Sequence, residues 1–168
     1  MADILVAYYS RTGRTRLIAE RLAKMLGADI APLVEKKDRS GPLGFLVAIL
    51  DTLLDRPAEL VNFPDPSPYA MVVLGMPVWA HHAPPAVREY LKRTNLTGKT
   101  VCAFCTYDGS GSDGTFKSLN ALLPVPLAET FHWKKPKESD PALEEALAKW
   151  ADALRKRLSG RTEKAPGS

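Results

Sequence analysis

The segment from residue 4 to residue 15, ILVAYYSRTGRT, decides how this sequence folds. Its first half, Ile4 to Tyr9, is continuously apolar, which is typical of a parallel strand buried on both faces. Its second half is a polar turn that contains a glycine, and apolar residues follow it at helical spacing from Leu17 to Leu26. A strand that passes through such a turn into a helix predicts the start of an α/β fold.

The same alternation of strands and helices continues along the chain. Further strands are predicted at residues 29–34, 70–75, 100–106 and 127–133, and further helices at 84–93, 115–123 and 141–158. Strands separated by helices imply right-handed crossovers and a mostly parallel sheet. We therefore expect one domain over residues 1–159, with a flexible tail at residues 160–168.

The regular pattern is interrupted once, by an insertion at about residues 36–69. Its apolar segment, Leu43 to Leu54, predicts a helix that is more apolar than a surface helix should be. Three roles are open for this helix: packing on its own domain, covering a ligand as a lid, or joining two copies of the chain in a homodimer.

Composition excludes several classes of protein. The chain has 168 residues, 45% of them hydrophobic, so disorder throughout is excluded. A net charge of +4 without a dense Lys/Arg stripe argues against nucleic-acid binding. No stretch approaches the ~20 apolar residues of a membrane span, and no basic leader precedes the first strand, so we predict a cytoplasmic protein.

The two cysteines, Cys102 and Cys105, lie three residues apart on a predicted strand. Residues at this spacing point to opposite faces of a sheet, so we interpret them as buried core cysteines and not as a redox pair. Three histidines and two cysteines scattered along the chain predict no metal site.

The turn from Ser10 to Thr15 has the chemistry of a phosphate site. Hydroxyls at Ser10, Thr12 and Thr15 surround Gly13 at a helix start, where free N–H groups and the helix dipole favour an anion. The lysine of a nucleoside-triphosphate loop is missing, so hydrolysis of such ligands is not expected. An ordinary capped helix start is the alternative.

This turn resembles the phosphate loop Thr/Ser-x-Thr-Gly-x-Thr of the flavodoxin family. Residues 75–79, GMPVW, and the AHHAPP that follows them resemble the Gly-x-Pro-x-Trp loop of a branch with an enlarged connection between the second and third strands. Residues 104–111, FCTYDGSG, resemble the Phe-x-Thr-x-Gly-Gly-Ser-Gly loop of that branch. The resemblance extends from about Ile4 to Leu158.

The resemblance implies a flavodoxin-like three-layer sandwich whose five-stranded parallel sheet has the order 2-1-3-4-5. It also implies flavin mononucleotide (FMN) at the carboxyl ends of the strands, where open α/β sheets bind ligands. The implied cofactor-binding residues are Ser10, Arg11, Thr12, Gly13, Arg14 and Thr15 in the phosphate loop, Pro77, Val78, Trp79, Ala80 and His81 on one side of the isoalloxazine, and Thr106, Tyr107, Asp108, Gly109, Ser110 and Gly111 at its other side and its pyrimidine edge.

Four residues depart from or add to the family pattern. Tyr107 either stacks on the flavin ring or points outward. Asp108 near the pyrimidine edge would disfavour an anionic reduced flavin. His81 and His82 are candidate catalytic residues that donate a proton to reduced flavin or substrate, because histidine titrates near neutrality; exposed loop histidines are the alternative.

Three functions are compatible with these residues: an electron carrier with protein partners, an NAD(P)H-dependent reductase of small acceptors such as quinones, and a non-redox module that binds another phosphate ligand. Flavodoxin carriers are usually acidic, whereas this chain carries +4 and would be repelled by basic partners. We also expect a less negative reduction potential than in acidic carriers.

Overall fold

The computed structural model describes residues 2–37 and 41–162. Its five strands are β1 (Ile4–Tyr8), β2 (Asp29–Pro32), β3 (Met71–Pro77), β4 (Thr100–Tyr107) and β5 (Glu129–Lys134). Its five helices are α1 (Arg14–Leu26), α2 (Gly41–Leu53), α3 (Pro85–Arg93), α4 (Ser112–Asn120) and α5 (Pro141–Thr162).

All strands are parallel and follow the order β2-β1-β3-β4-β5, which confirms the predicted topology. In this order the chain reverses direction across the sheet between β1 and β3, since β1 pairs with both β2 and β3. The carboxyl ends of β1, β3 and β4 are therefore neighbours, and their loops open on the same edge.

Two apolar cores lie on the two faces of the sheet, because successive strand residues point to opposite sides. In β3, Met71 and Val73 pack with residues of α1 and α5, whereas Val72 and Leu74 pack with residues of α3 and α4. The predicted three-layer sandwich is thus confirmed.

The cysteines follow the same alternation. Cys102 belongs to the core beneath α1 and α5 and Cys105 to the opposite core, and neither side chain is exposed. Burial raises the pKa of each thiol to about 12. The interpretation as buried core cysteines is confirmed.

Some element bounds differ from the sequence prediction for local reasons. The helix predicted at 115–123 begins three residues earlier, because Gly111 takes a left-handed conformation (φ 112°) that caps a first turn containing Asp113. The second strand ends at Pro32 because the Val34 N–H donates to the Asn62 side chain at 2.8 Å. The fifth strand begins only at Glu129, since the Leu127 N–H is taken by the Asn120 side chain.

The final helix extends four residues beyond the predicted Leu158, to Thr162. The remainder of the predicted tail, residues 163–168, lies outside the described residues. No helix in the described part of the chain is both long and apolar enough to span a membrane.

Candidate functional site

A cleft of about 440 Å³ opens at the carboxyl edge of the sheet, where β1, β3 and β4 end. Its size falls in the usual range for small-molecule sites. The cleft is lined by Arg11, Thr12, Arg14, Thr15, Phe45, Pro77, Val78, Trp79, Thr106, Tyr107, Asp108, Gly109 and Ser110. The structure therefore brings together members of all three loops that were singled out in the sequence.

Ser10 and Gly13 set the shape of the phosphate loop. Ser10 Oγ accepts hydrogen bonds from the N–H groups of Gly13 and Arg16, both at 3.2 Å. Gly13 is the N-cap of α1, with φ 88°, a conformation that side chains other than glycine rarely adopt. Ser10 thus does not point at the cleft as an isolated hydroxyl; it holds the loop in place.

The first turn of α1 offers hydrogen-bond donors that fit a phosphate. Gly13 has no side chain that could cap the helix. The N–H groups of Arg14 and Thr15 also lack an acceptor inside the helix, because no helical carbonyl precedes the first turn. No acidic residue lies in this turn, and the helix dipole favours an anion here. The loop and the exposed Arg14 guanidinium therefore suit a phosphate monoester.

A pair of hydroxyls joins the phosphate loop to the fourth strand. Thr15 Oγ1 and Thr106 Oγ1 are 2.9 Å apart, and both residues are buried. This contact fixes the start of α1 against the end of β4, so the phosphate loop and the loop after β4 keep a defined separation.

The third-strand loop forms one wall of the cleft. After Pro77, the Val78 N–H donates to the Thr106 carbonyl at 2.9 Å, which keeps this wall aligned with β4. Trp79 is only 2% exposed and meets Tyr9 edge to face, with ring centroids 5.3 Å apart. Trp79 thus reaches the cleft from the core, and most of its ring is covered by protein.

A tight turn follows Trp79. Trp79 and His82 pair as an antiparallel bridge, and both central residues, Ala80 and His81, have positive φ (48° and 64°). Two consecutive residues in this region characterise the mirror-image hairpin turn that glycine usually occupies. Such backbone costs energy and often marks functional sites.

The two histidines differ in their surroundings, and neither lines the cleft. His81 lies in a neighbouring recess with Tyr107 and the start of α4, and its Nδ1 would come within 2.8 Å of a Cβ placed on Gly111. The close approach of His81 therefore requires glycine at position 111. Both histidines are exposed, and His82 contributes its backbone to the bridge. The proton-donor role of the pair stays a prediction.

The loop after β4 forms the second wall of the cleft. It carries a negative charge, opposite to that of the arginines in the phosphate loop. Asp108 makes an ion pair with Arg14 across the mouth of the cleft. Tyr107 lines the cleft, but its hydroxyl pairs with His132 Nδ1 at 3.0 Å on the side of β5. Tyr107 thus lies at the boundary between the cleft and the next recess, and its stacking on the flavin ring stays a prediction.

The cleft contains one aromatic residue that sequence reasoning missed. Phe45 of α2 lines it, and the Arg11 guanidinium lies 4.8 Å above the Phe45 ring. The signal available in the sequence was weak, since Phe45 is one of many apolar residues in the inserted segment. Its placement shows that α2 reaches the site.

Gly111 and Ala80 also stay outside the lining of the cleft. Among the described residues, no group of three or more His, Cys, Asp or Glu side chains is arranged to hold a metal ion. The donor set fits a flat ligand with a phosphate: N–H groups and arginines at one end, apolar side chains along the wall, and Thr106 and Ser110 at the other side.

Comparison with known proteins agrees with this geometry. The sequence matches the Flavodoxin family over residues 3–154. A structure from Bacteroides uniformis superposes with a TM-score of 0.75 at 21% identity, covering 90% of this chain and 98% of that one. A structure from Bacteroides eggerthii gives 0.70 at 25% identity, covering 92% and 99%.

A flavoprotein from Lactobacillus acidophilus solved in complex with FMN gives a TM-score of 0.64 at 17% identity, covering 79% of this chain and 93% of its own. No curated protein matches the sequence. The family match spans nearly the whole chain. The cleft is built from the three loops that resemble the family pattern. The chain therefore belongs to the flavodoxin family, whose cofactor is FMN.

Proposed function

We propose that the protein is an FMN-dependent oxidoreductase that takes a hydride from NAD(P)H and reduces a small acceptor such as a quinone. When bound, FMN supplies the redox chemistry, accepting two electrons and a proton from a donor and passing them on. The residues of the chain bind the cofactor, orient it and set the charge around it.

The binding role follows from the cleft. The first-turn N–H groups of α1 and the Arg14 guanidinium would hold the phosphate, and Thr15, whose hydroxyl contacts that of Thr106, would line the same end of the cleft. Val78 and Trp79 present the apolar wall for the flavin ring. Arg14, which pairs with Asp108, would share its guanidinium between this carboxylate and the phosphate.

One observation favours a reductase over a carrier: the surface next to the cleft is basic. Lys134, Lys135 and Lys137 line a recess that shares Tyr107 with the cleft. A small, highly anionic donor such as a dinucleotide is attracted by this surface, whereas the basic partners of acidic carriers are repelled. The net charge of +4 acts in the same direction.

The test begins with the purified protein and added FMN. Yellow protein with flavin absorbance, or stoichiometric uptake of FMN, supports the redox function, and failure to bind FMN would reject it in favour of a non-redox phosphate module. Anaerobic mixing with NADPH and with NADH follows. Rapid bleaching, reversed by a soluble quinone, is expected; no bleaching by either nucleotide would leave a carrier with a protein donor.

A further inference from the structure

A recess of about 710 Å³ lies beside the cleft at the end of β5. We propose that it binds the phosphate groups of the dinucleotide donor, an inference that rests on the proposed function. Its lining combines three lysines with His132 and the aromatic side chains of Tyr107 and Trp133.

In the described part of the chain, the lysine charge of this recess exceeds the acidic charge beside it. No carboxylate there forms an ion pair with Lys134, Lys135 or Lys137. The only acidic residue in the lining is Asp140, and its two oxygens accept from Trp133 Nε1 and from the Leu143 N–H, both at 3.1 Å. The lining thus carries three ammonium groups against one carboxylate, a formal surplus of two positive charges for an external anion.

The backbone keeps the lysines near the cleft. Lys135 has a left-handed conformation, φ 49°, and its N–H donates to the Tyr107 carbonyl at 2.9 Å. Tyr107 lines both the recess and the cleft, so a ligand that fills the recess can extend past Tyr107 towards the flavin position. A concave site of this kind suits a small ligand better than the broad surface of a protein.

The experiment compares two pairs of charge removals in FMN-loaded protein. Lys134→Gln/Lys137→Gln removes two charges from the recess, and Lys117→Gln/Lys156→Gln removes two exposed charges elsewhere. Affinity for NADP⁺ and NAD⁺ is measured by flavin fluorescence, and the rate of reduction by NADPH by stopped flow. We expect the first pair to weaken NADP⁺ binding about tenfold and to flatten its salt dependence, with FMN affinity unchanged.

Equal effects of the two pairs, or no effect of either, would overturn the proposal. A protein that binds FMN but neither dinucleotide would also overturn it, while leaving the flavin function intact. Loss of FMN from all variants would instead reject the function on which this inference rests.

A second, independent observation concerns α2, which buries polar side chains and exposes leucines. Its buried residues are Ala48, Asp51 and Thr52, whereas its leucines point to solvent. The exposed leucines, which we call the leucine stripe, are Leu43, Leu46, Leu50, Leu53 and Leu54, from 46% to 80% exposed. A helix normally buries its apolar face, so this stripe lacks its partner.

We infer that the leucine stripe pairs with the same stripe of a second copy of the chain. Four of its residues, from Leu43 to Leu53, are spaced three, four and three apart, the seam of a two-helix coiled coil. No charged side chain of α2 faces solvent, since Asp51 is buried beside Lys37 and Arg56. Two copies can therefore meet about a two-fold axis without like charges opposing each other.

The area is sufficient for a specific, if small, interface. Five leucines exposed to this degree present roughly 500 Å² of apolar surface, and pairing two copies buries about 1,000 Å². A membrane surface is a poorer match, because interfacial helices carry Lys or Arg on their polar face and α2 has neither.

Light scattering after size-exclusion chromatography, across a hundredfold range of concentration, tests this pairing. The wild-type chain should dimerise, and Leu46→Glu/Leu50→Glu should be monomeric with unchanged FMN binding, because both side chains are outside the core. Leu122→Glu, at an exposed leucine elsewhere, should stay dimeric. A monomeric wild type, a dimeric double variant, or flotation of the wild type with vesicles of phosphatidylcholine and phosphatidylglycerol would overturn the inference.

Discussion

The hydroxyl oxygens of Thr15 and Thr106 lie 2.9 Å apart, where the start of α1 packs against the end of β4. Because both residues are buried, removing one hydroxyl leaves the other without a partner. We expect Thr15→Val and Thr106→Val each to lower the free energy of unfolding by about 1–2 kcal/mol. The double variant should cost less than the two single changes combined, as denaturant titration of all four proteins will show; strict additivity would mean that the hydroxyls do not interact.

Gly13 and Gly27 form a matched pair for testing the phosphate loop. Both have positive φ (88° and 62°), and a Cβ on either would meet no atom within 4 Å, so only backbone strain is introduced. Gly13→Ala and Gly27→Ala should each lose about 1 kcal/mol of stability. Only Gly13→Ala should weaken FMN binding, measured by quenching of flavin fluorescence. Equal FMN affinity in the two variants would contradict the assignment of the loop.

Asp108 faces Arg14 across the mouth of the cleft, and both side chains are in contact with solvent. Asp108→Asn frees Arg14 for the phosphate and removes a negative charge beside the flavin. We expect FMN affinity to rise about twofold to fivefold, the scale of an exposed ion pair, and the second reduction step to become less negative in spectroelectrochemistry. Asp113→Asn, an equal charge change at the start of α4, is the control and should leave both values nearly unaltered.

For the wild-type protein, we expect a second reduction potential less negative than that of acidic carriers, because the cleft is bordered by arginines and lysines. A very negative second step would contradict this expectation, whatever the behaviour of the Asp108 variant.

Phe45 and Phe63 provide a second matched pair, since each ring lies under an arginine guanidinium, at 4.8 Å for Arg11 and 4.7 Å for Arg93. Only Phe45 lines the cleft. Phe45→Ala should therefore speed the dissociation of FMN several-fold, and Phe63→Ala should not. Identical dissociation rates in stopped-flow dilution would mean that α2 does not cover the cofactor.

The buried thiols predict how stability depends on alkaline pH. Burial raises the pKa of Cys102 and Cys105 to about 12 in the folded chain, while the unfolded chain releases these protons near pH 9. The unfolded state thus binds fewer protons above pH 9, so the free energy of unfolding should fall as pH rises from 9 towards 12. Cys102→Ala/Cys105→Ala should flatten this decline. Native protein at pH 8 should also resist alkylation by iodoacetamide. Rapid alkylation would indicate an accessible thiolate and contradict the burial of both cysteines.

Local sequence was sufficient to predict the sheet and the phosphate loop. A continuous apolar strand at Ile4, one glycine at position 13 and a helical repeat after Thr15 leave few alternatives for the backbone. The start of α4 was harder to predict, because its first turn contains Gly114 and polar residues, whereas Leu122 and Leu123 continued the apolar pattern into what is a turn.

The remaining features of the site depend on contacts between distant segments. The packing of His81 on Gly111 and the turn of Tyr107 towards His132 have no signature in the local sequence. Phe45 reaches the cleft only because α2 lies over it. The leucines of α2 are exposed, although their spacing alone would predict a buried face. Periodicity identifies which residues share a face, but not which neighbour covers that face.

The described residues between β2 and β3 contribute no strand to the sheet, and β1 pairs directly with both of its flanking strands. Their helix adds a single side chain, Ala48, to the buried core. A substitution at an exposed position of this helix should therefore change the surface of the protein more than its free energy of unfolding.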